Sequence, residues 1–128
     1  MDKNIIFHIT TAKDWQNALK KGRYSAASLD SEGFIHSSTA EQVTDTANRF
    51  FSGQKDLVLL CIDASAIRAP LKYEAPLNHH HANPKETGLY PHIYGVIHLD
   101  EVVEVLNFPH DEDELFRLDN IKGITKHL

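Results

Sequence analysis

Apolar and polar positions along the chain predict short strands in alternation with amphipathic helices. The β-prone run at residues 5–9 leads into Thr10 and Thr11, whose hydroxyls favour the start of a helix. Gly22 occupies the position at which such a helix ends. The next segment, residues 23–29, has no clear period, so it predicts an irregular stretch or an edge strand.

A second strand and helix are predicted between residues 33 and 53. Residues 33–38 predict a very short strand, because Thr39 and Gln42 then show the capping-box spacing that opens a helix. Gly53 supplies the end of that helix. Its apolar face has four members, which we expect to lie mostly in the core: Val43, Ala47, Phe50 and Phe51.

The middle of the chain contains the strongest apolar run. Residues 57–62 are continuously apolar over the length of a strand, which predicts a central strand buried on both faces. Residues 70–74 alternate like a short strand. Residues 75–89 contain prolines, a glycine and three consecutive histidines, and this composition predicts a loop. A loop of this length suggests a lid or a disordered excursion.

Two more strands are predicted towards the C-terminal end. Residues 90–98 have the period of two that is typical of a strand, and residues 102–106 follow after a turn, so we expect a hairpin-like pair. From Asp111 the chain is acidic and then mixed, which predicts a short docked helix before a fraying tail. We therefore predict one α+β domain over residues 1–128, with two main helices and a core at about residues 4–108.

Composition and charge narrow the class of protein. With 128 residues, 41% of them hydrophobic and 24% charged, the chain resembles an ordinary globular domain. Its net charge of −5 disfavours binding to extended nucleic acid but permits a small nucleotide in a local pocket. The sequence offers no long apolar run for a signal peptide or membrane span, so we expect a cytoplasmic protein with no membrane partner. No pattern fixes an oligomeric state.

Polar side chains at two strand ends are the first candidates for a site. His36 lies before Ser37, Ser38 and Thr39 at a strand-to-helix junction, where free backbone N–H groups can bind an anion or a carbonyl oxygen. His8 occupies a similar place before Thr10, so neighbouring strands would bring both imidazoles to one rim. The alternatives are that Thr39 only caps the helix and that His36 is hydrogen-bonded in a polar core.

Three further residues lie on later strands. Glu74 ends a predicted strand, where a carboxylate can act as a general base, bind a ribose hydroxyl or orient a nucleophile; the alternative is an exposed glutamate. His92 and Tyr94 share one face of a strand by two-residue alternation. Their rings can stack on a base or nicotinamide, or complete a packed core.

Two other features have simpler interpretations. Cys61 lies inside the central apolar run, which predicts a buried, inert thiol. His79, His80 and His81 could bind a metal, but no standard zinc-ligand spacing accompanies them, and solvated loop histidines are the commoner case. Lys20, Lys21 and Arg23 predict the solvated end of a helix. We therefore expect no metal cofactor.

The order of these motifs resembles the family known as domain of unknown function 952. The two densest matches are Gly33-Phe34-Ile35-His36-Ser37-Ser38-Thr39 and Tyr90-Pro91-His92-Ile93-Tyr94-Gly95. The other matching positions are residues 7–10, Trp15, residues 22–24, residues 28–29, Gln42, residues 47–51, residues 56–59 and residues 73–74. Together they cover most of the chain up to about Phe108.

The family looks like a compact member of the ADP-ribosyltransferase-like fold, which implies a small split antiparallel sheet and NAD as a possible substrate. By this resemblance His8 would hold the NAD ribose, His36 with Ser38 and Thr39 would supply the second strand's contacts, and Glu74 would stabilise the oxocarbenium-like transition state. His8 is followed by Ile9 where glycine is usual, and no arginine flanks His36. These departures disfavour phosphate transfer to RNA.

Three functions compete at this point. The first is binding of NAD or a related nucleotide with transfer of an ADP-ribosyl-type group. Its catalytic candidates are His36 and Glu74, and its ligand-binding candidates are His8, Tyr24, Ser38, Thr39, His92 and Tyr94. The second is a noncatalytic module that binds a small ligand or a protein, and the third is metal binding through histidines.

Overall fold

The sequence blocks fold into short strands and helices. The computed structural model describes residues 4–75 and 88–128. In chain order the elements within these residues are β1 (Ile5–Thr11), α1 (Ala12–Lys21), β2 (Arg23–Tyr24), α2 (Ala27–Glu32), β3 (Ile35–His36), α3 (Val43–Phe50), β4 (Leu57–Asp63), β5 (Leu71–Glu74), β6 (Tyr90–Ile93), β7 (Ile97–His98) and β8 (Val102–Asn107). A short 3-10 turn at Leu99–Glu101 lies between β7 and β8, and two more, at Leu118–Asn120 and Ile124–His127, follow β8.

The described strands form three antiparallel sheets. The central sheet has the order β1-β4-β8, a second sheet has the order β3-β6-β5, and β2 pairs with β7. An isolated bridge between Phe7 and Ser38 joins the central sheet to the segment after β3. The α+β class is therefore as predicted, with three α-helices in the described residues instead of two main ones.

The predicted hairpin near the C-terminal end is wrong. The run at residues 90–98 divides into β6 and β7, and β8 pairs with β4 in the central sheet. The chain bends where Gly95 lies against Ala69, so closely that a Cβ at residue 95 would be 2.8 Å from that of Ala69. The turn at 99–101 holds Glu101, whose buried carboxylate accepts the backbone N–H groups of His98 and Arg68. This turn redirects β8 to the edge of β4.

Helix α1 has the predicted ends. Thr11 Oγ1 accepts a hydrogen bond from the backbone N–H of Asp14 at 3.0 Å. Gly22 adopts φ +84° and donates its N–H to the carbonyl of Ala18, as a left-handed C-terminal residue does. Helix α2 was predicted as an irregular stretch or edge strand; its six residues are too few to show a helical period.

Helix α3 begins later than its sequence signature. Thr39 and Gln42 form a turn in which the Thr39 N–H donates to Gln42 Oε1 at 3.0 Å, which is half of the predicted capping box. The helix then starts at Val43. Val43 and Ala47 are fully buried, as expected, whereas Phe50 is 56% exposed and is not a core residue.

The core packs on both faces of the central sheet, because residues of β4 alternate between two clusters. Leu57, Leu59 and Cys61 pack on one face, and Val58, Leu60 and Ile62 on the other. Cys61 is fully buried, as predicted, and burial raises the pKa of its thiol to about 12. The first cluster also contains three buried residues beyond Phe108, namely Phe116, Ile121 and Ile124.

The predictions for the histidine-rich loop and for membrane-spanning helices remain to be compared with the structure. His79, His80 and His81 lie outside the described residues, as does most of the predicted loop. Across residues 4–75 and 88–128, every helix is too short or too polar to cross a membrane.

Candidate ligand cleft

One cleft of about 940 Å³ is lined by residues between positions 7 and 51 and by Tyr90 and His92. Five of the predicted site residues line it: His8, Tyr24, His36, Ser38 and His92. The other three, Thr39, Glu74 and Tyr94, lie outside its lining. The meeting of distant segments on which the sequence prediction depends therefore occurs for five of eight residues.

Strand pairing explains why these segments meet. In the β3–β6 ladder, His36 lies directly opposite His92. Phe7 and Ser38 exchange two backbone hydrogen bonds of 2.8 Å, which brings the middle of β1 beside the segment that follows His36. The predicted adjacency of His8 and His36 is thus produced by this bridge, because β1 and β3 belong to different sheets.

His8 lies on the cleft floor with both ring nitrogens engaged. Its Nδ1 is 2.5 Å from the carbonyl oxygen of His36, and its Nε2 is 2.8 Å from the Tyr24 hydroxyl. A carbonyl only accepts, so Nδ1 carries a proton. Burial lowers the pKa of His8 to about 4, which keeps the ring neutral with its proton on Nδ1.

The Tyr24 hydroxyl extends this buried chain, since it is also 3.0 Å from Thr10 Oγ1. Burial raises the pKa of Tyr24, so its hydroxyl stays protonated. Because protein groups already occupy both nitrogens of His8, the contribution of His8 is to orient Tyr24 and the His36 backbone. A ribose contact by His8, as the family resemblance implies, would have to displace one of these partners.

His92 is held by a carboxylate from the neighbouring strand. Its Nδ1 is 2.9 Å from Glu74 Oε1, and Tyr94 donates its hydroxyl proton to the same oxygen. Hydrogen bonds from Tyr94 and His92 lower the pKa of Glu74, so this carboxylate is ionised and accepts a hydrogen bond from the N–H at Nδ1. In the tautomer that makes this hydrogen bond, the ring lone pair is on Nε2. Glu74 thus acts on the cleft through His92.

The His92 ring is fixed by stacking as well as by hydrogen bonding. Phe34 stacks on it with ring centroids 4.0 Å apart and an interplanar angle of 17°. The same phenyl ring meets His36 edge-on at 4.8 Å. Only 3% of the His92 side chain is exposed, so its orientation is set by its neighbours. Phe34 belongs to the sequence motif around His36 but was not predicted as a site residue.

His36 has a carboxylate of its own at the edge of the cleft. Its Nε2 is 3.0 Å from Glu32 Oε2, and 48% of its side chain is exposed. Glu32 ends helix α2, which the sequence pattern did not predict, so this pair was missed as well. His36 and His92 lie with ring centroids 5.7 Å apart. Two imidazoles, each with a glutamate, therefore share one wall.

Hydroxyl groups line the same wall. Ser38 Oγ is 3.2 Å from Thr46 Oγ1. Ser37 Oγ is buried and has no hydrogen-bond partner among the residues that the structure describes. A buried hydroxyl without a partner is costly, which makes Ser37 a group that a ligand can satisfy. Thr39, which belongs to the turn before α3, fits the capping alternative.

The cleft is more basic than the rest of the molecule. Its charged lining comprises three basic residues, Lys21, Arg23 and Arg49, and two acidic residues, Asp14 and Glu32. The chain as a whole has a net charge of −5. Lys21 and Arg23 were predicted to be a solvated helix end, and their place on the cleft was not foreseen.

Possible metal ligands do not converge in this part of the chain. Within residues 4–75 and 88–128, no group of three or more His, Cys, Asp or Glu side chains could hold a metal ion.

The described residues define a small α+β protein with a histidine-lined cleft. The chain belongs to the family described as protein of unknown function (DUF952), whose model matches residues 9–105. No curated protein matches the sequence.

Solved structures agree with this assignment. The crystal structure of protein CC0527 from Caulobacter crescentus is similar with 31% sequence identity and a TM-score of 0.77, over 90% of this chain and 95% of that one. The solution structure of CC0527 has 29% identity and a TM-score of 0.72, over 98% and 97% of the two chains. These structures support the DUF952 assignment and give no support to an ADP-ribosyltransferase-like fold.

Proposed function

We propose that the cleft binds a nucleotide such as NAD and that the protein transfers an ADP-ribosyl-type group, with His92 as the general base. The observation that carries this proposal is the orientation of His92. Its Nδ1 is committed to Glu74, its ring is clamped by Phe34, and the residue lines the cleft. A carboxylate that fixes the tautomer of a cleft-lining imidazole is the arrangement used by acid–base enzymes.

The size and charge of the cleft favour a nucleotide-sized anion. A volume of about 940 Å³ is at the upper end of small-molecule sites. Lys21 and Arg23 provide positive charge for phosphate groups, while the acidic surface elsewhere repels a long polyanion. Phe50 lines the cleft, is 56% exposed and offers an aromatic ring to a base or nicotinamide.

The proposed reaction needs one proton acceptor. As the bond between the ribose and nicotinamide of NAD breaks, nicotinamide leaves as a neutral pyridine. An acceptor hydroxyl or water forms the new bond to the ribose carbon and gives its proton to His92 Nε2. Glu74 stabilises the resulting imidazolium through Nδ1 and is a positioning residue in this scheme. The choice of NAD comes from the family resemblance, and a cytoplasmic location would suit it.

Thermal unfolding in the presence of NAD, ADP-ribose or nicotinamide tests binding, and release of nicotinamide tests transfer. A ligand at about a hundred times its dissociation constant should add roughly 2.7 kcal/mol of stability. Replacing the base by His92→Ala should lower nicotinamide release about 100-fold. His127→Ala is a matched control, because it removes a His–Glu pair with Glu104 outside the cleft.

The outcomes separate the competing functions. Stabilisation by NAD with release of nicotinamide supports the proposal. Stabilisation without release supports a noncatalytic nucleotide-binding module and removes the transfer reaction. The absence of any shift with all three ligands removes NAD as the ligand and the transfer reaction with it.

A further inference from the structure

Two His–Glu pairs stand side by side on the cleft wall, although the proposed transfer from NAD uses only one. His36 and His92 are cross-strand partners in the β3–β6 ladder, and their rings meet at 5.7 Å with an interplanar angle of 74°. Each ring has its own carboxylate, Glu32 at 3.0 Å and Glu74 at 2.9 Å. Nicotinamide departs without needing a proton, so the proposed transfer gives the His36–Glu32 pair no catalytic role.

The two pairs differ in the nitrogen that they present. His92 binds its glutamate through Nδ1, which leaves Nε2 to accept a proton. His36 binds its glutamate through Nε2, and its Nδ1 has no hydrogen-bond partner among the described residues. When the His36 ring carries two protons, the one on Nδ1 points away from Glu32 and can be donated to a ligand.

The environments of the rings also suit opposite roles. The His92 side chain is 3% exposed and stacked on Phe34, so its ring is held in one orientation against the cleft wall. The His36 side chain is 48% exposed beside Glu32, so water can reach it and exchange protons with it. Two titratable groups in contrasting surroundings commonly divide the acid and base roles in an active site.

The geometry points to an acid–base couple that hydrolyses a nucleotide phosphodiester, with His92 as the base and His36 as the acid. This inference rests on the proposed nucleotide cleft but not on NAD as its ligand. Phosphodiesters are favoured because an alkoxide leaving group requires a proton, and because Lys21 and Arg23 give the cleft positive charge for a phosphate.

The step balances without a further reactant. Water attacks phosphorus and loses a proton to His92 Nε2, while the bond from phosphorus to the leaving oxygen breaks and that oxygen takes the proton of His36 Nδ1. The products are a phosphate monoester and an alcohol. Proton exchange with solvent returns His36 to the imidazolium and His92 to the neutral ring.

Two substrates that differ in their leaving group test the division of roles. The probes are 2′,3′-cyclic AMP, whose ribose oxygen needs a proton to leave, and bis(p-nitrophenyl) phosphate, whose nitrophenolate leaves without one. We expect the wild-type protein to hydrolyse both. His36→Ala should lower kcat/KM about 100-fold for 2′,3′-cyclic AMP and only about 3-fold for the nitrophenyl ester, because an acid matters only for the poorer leaving group.

The base variant and the controls complete the design. His92→Ala should lower kcat/KM about 100-fold for both substrates. Glu32→Gln leaves both imidazoles in place and should show the same preference for the nitrophenyl ester as His36→Ala, to a smaller degree, so the test does not depend on one variant folding. His127→Ala, outside the cleft, should match the wild type.

Two results would overturn the acid–base couple. One is failure of the folded wild-type protein to hydrolyse either phosphodiester. The other is an equal loss on both substrates in His36→Ala and Glu32→Gln, which would assign His36 a merely structural role. Hydrolysis of 2′,3′-cyclic AMP without any stabilisation by NAD would support the couple and remove NAD as ligand, so the two proposals fail separately.

Discussion

Strand β1 delivers its side chains into two unlike regions, the sealed core around Phe108 and the open cleft. Phe7 and Ile9 pack in the apolar cluster that contains Phe108 and Phe116. His8 and Thr10, which alternate with them, join the buried hydrogen-bonded chain with Tyr24. One strand thus supplies apolar packing on one face, while on the other face Ile6 joins the second apolar cluster and His8 and Thr10 form polar contacts.

The difference teaches where a small domain can accept polar burial. A buried polar group costs stability unless it is hydrogen-bonded. The side chains of His8, Thr10 and Tyr24 are hydrogen-bonded to one another, and His8 is also hydrogen-bonded to the His36 carbonyl. The apolar side chains of the sealed core need no hydrogen bonds, and their contacts supply stability. We therefore expect changes in the core to affect unfolding and changes in the cleft to affect activity and pH dependence.

The largest expected effect is on the sealed core. Phe108→Ala removes a buried phenyl ring that packs against Phe116 with ring centroids 4.9 Å apart. It should lower the free energy of unfolding by about 3–5 kcal/mol, measured by urea denaturation. Activity per folded molecule should be unchanged. A loss of activity in the folded fraction would show that the two regions are not separable.

The next largest effect is the pH dependence that His8 gives to stability. Burial lowers the pKa of His8 from 6.5 to about 4, so between these values the unfolded chain binds a proton that the folded chain does not. Stability is fully present above pH 6.5 and falls as the pH drops towards 4. The loss should amount to roughly 3 kcal/mol in urea titrations at a series of pH values.

A matched variant isolates this contribution. In His8→Asn the side-chain amide can still donate to the His36 carbonyl but cannot titrate. Its unfolding free energy should be lower at neutral pH and less steep in pH than that of the wild type. An unchanged slope would mean that another group causes the pH dependence.

A smaller effect, on turnover, is expected from replacing Glu74, which lies outside the cleft lining and contacts His92. Glu74→Gln keeps the shape of the side chain but can present its amide N–H groups to His92, which favours the wrong tautomer. Turnover of the nucleotide substrate should fall about 100-fold, chiefly in kcat, while binding in a thermal-shift titration stays within about 3-fold. A loss of binding without a loss of kcat would contradict the positioning role of Glu74.

The smallest expected effect concerns Tyr94. Tyr94→Phe removes one of the two hydrogen bonds to Glu74 Oε1 and leaves that of His92. Turnover should fall about 5-fold, and the acid limb of its pH profile should move to higher pH, because the pKa of Glu74 rises when this donor is lost. Tyr73→Phe on the neighbouring, exposed position is the control, and it should match the wild type.

The sequence predicted elements that have a local signal, such as a continuous apolar run or a helix cap. It missed features that depend on contacts between residues far apart in the chain. Strand β4 and helix α1 follow from a continuous apolar run and from local caps at Thr11 and Gly22. The hairpin prediction failed because local alternation cannot say which strand a neighbour pairs with; β8 pairs with β4, more than forty positions earlier, as Leu60 opposite Val105 illustrates.

The sequence predicted which residue types form the candidate site but not which side chains are hydrogen-bonded to each other. The residue types in the two dense motifs indicated His36 and His92 as site residues. The link from Glu74 to His92, by contrast, depends on the β5–β6 pairing across residues that no local pattern connects. Glu32 was missed because helix α2 has only six residues. Roles within the cleft are therefore set by strand register.

The bridge between Phe7 and Ser38 tethers the two walls of the cleft by only two amide hydrogen bonds, each of 2.8 Å. Parting the floor that carries His8 from the wall that carries His36 requires breaking this bridge and the hydrogen bond from His8 Nδ1 to the His36 carbonyl, without unpairing either larger sheet. Amide hydrogen exchange at these two residues should consequently report breathing of the cleft, and a bound ligand that touches both walls should slow it.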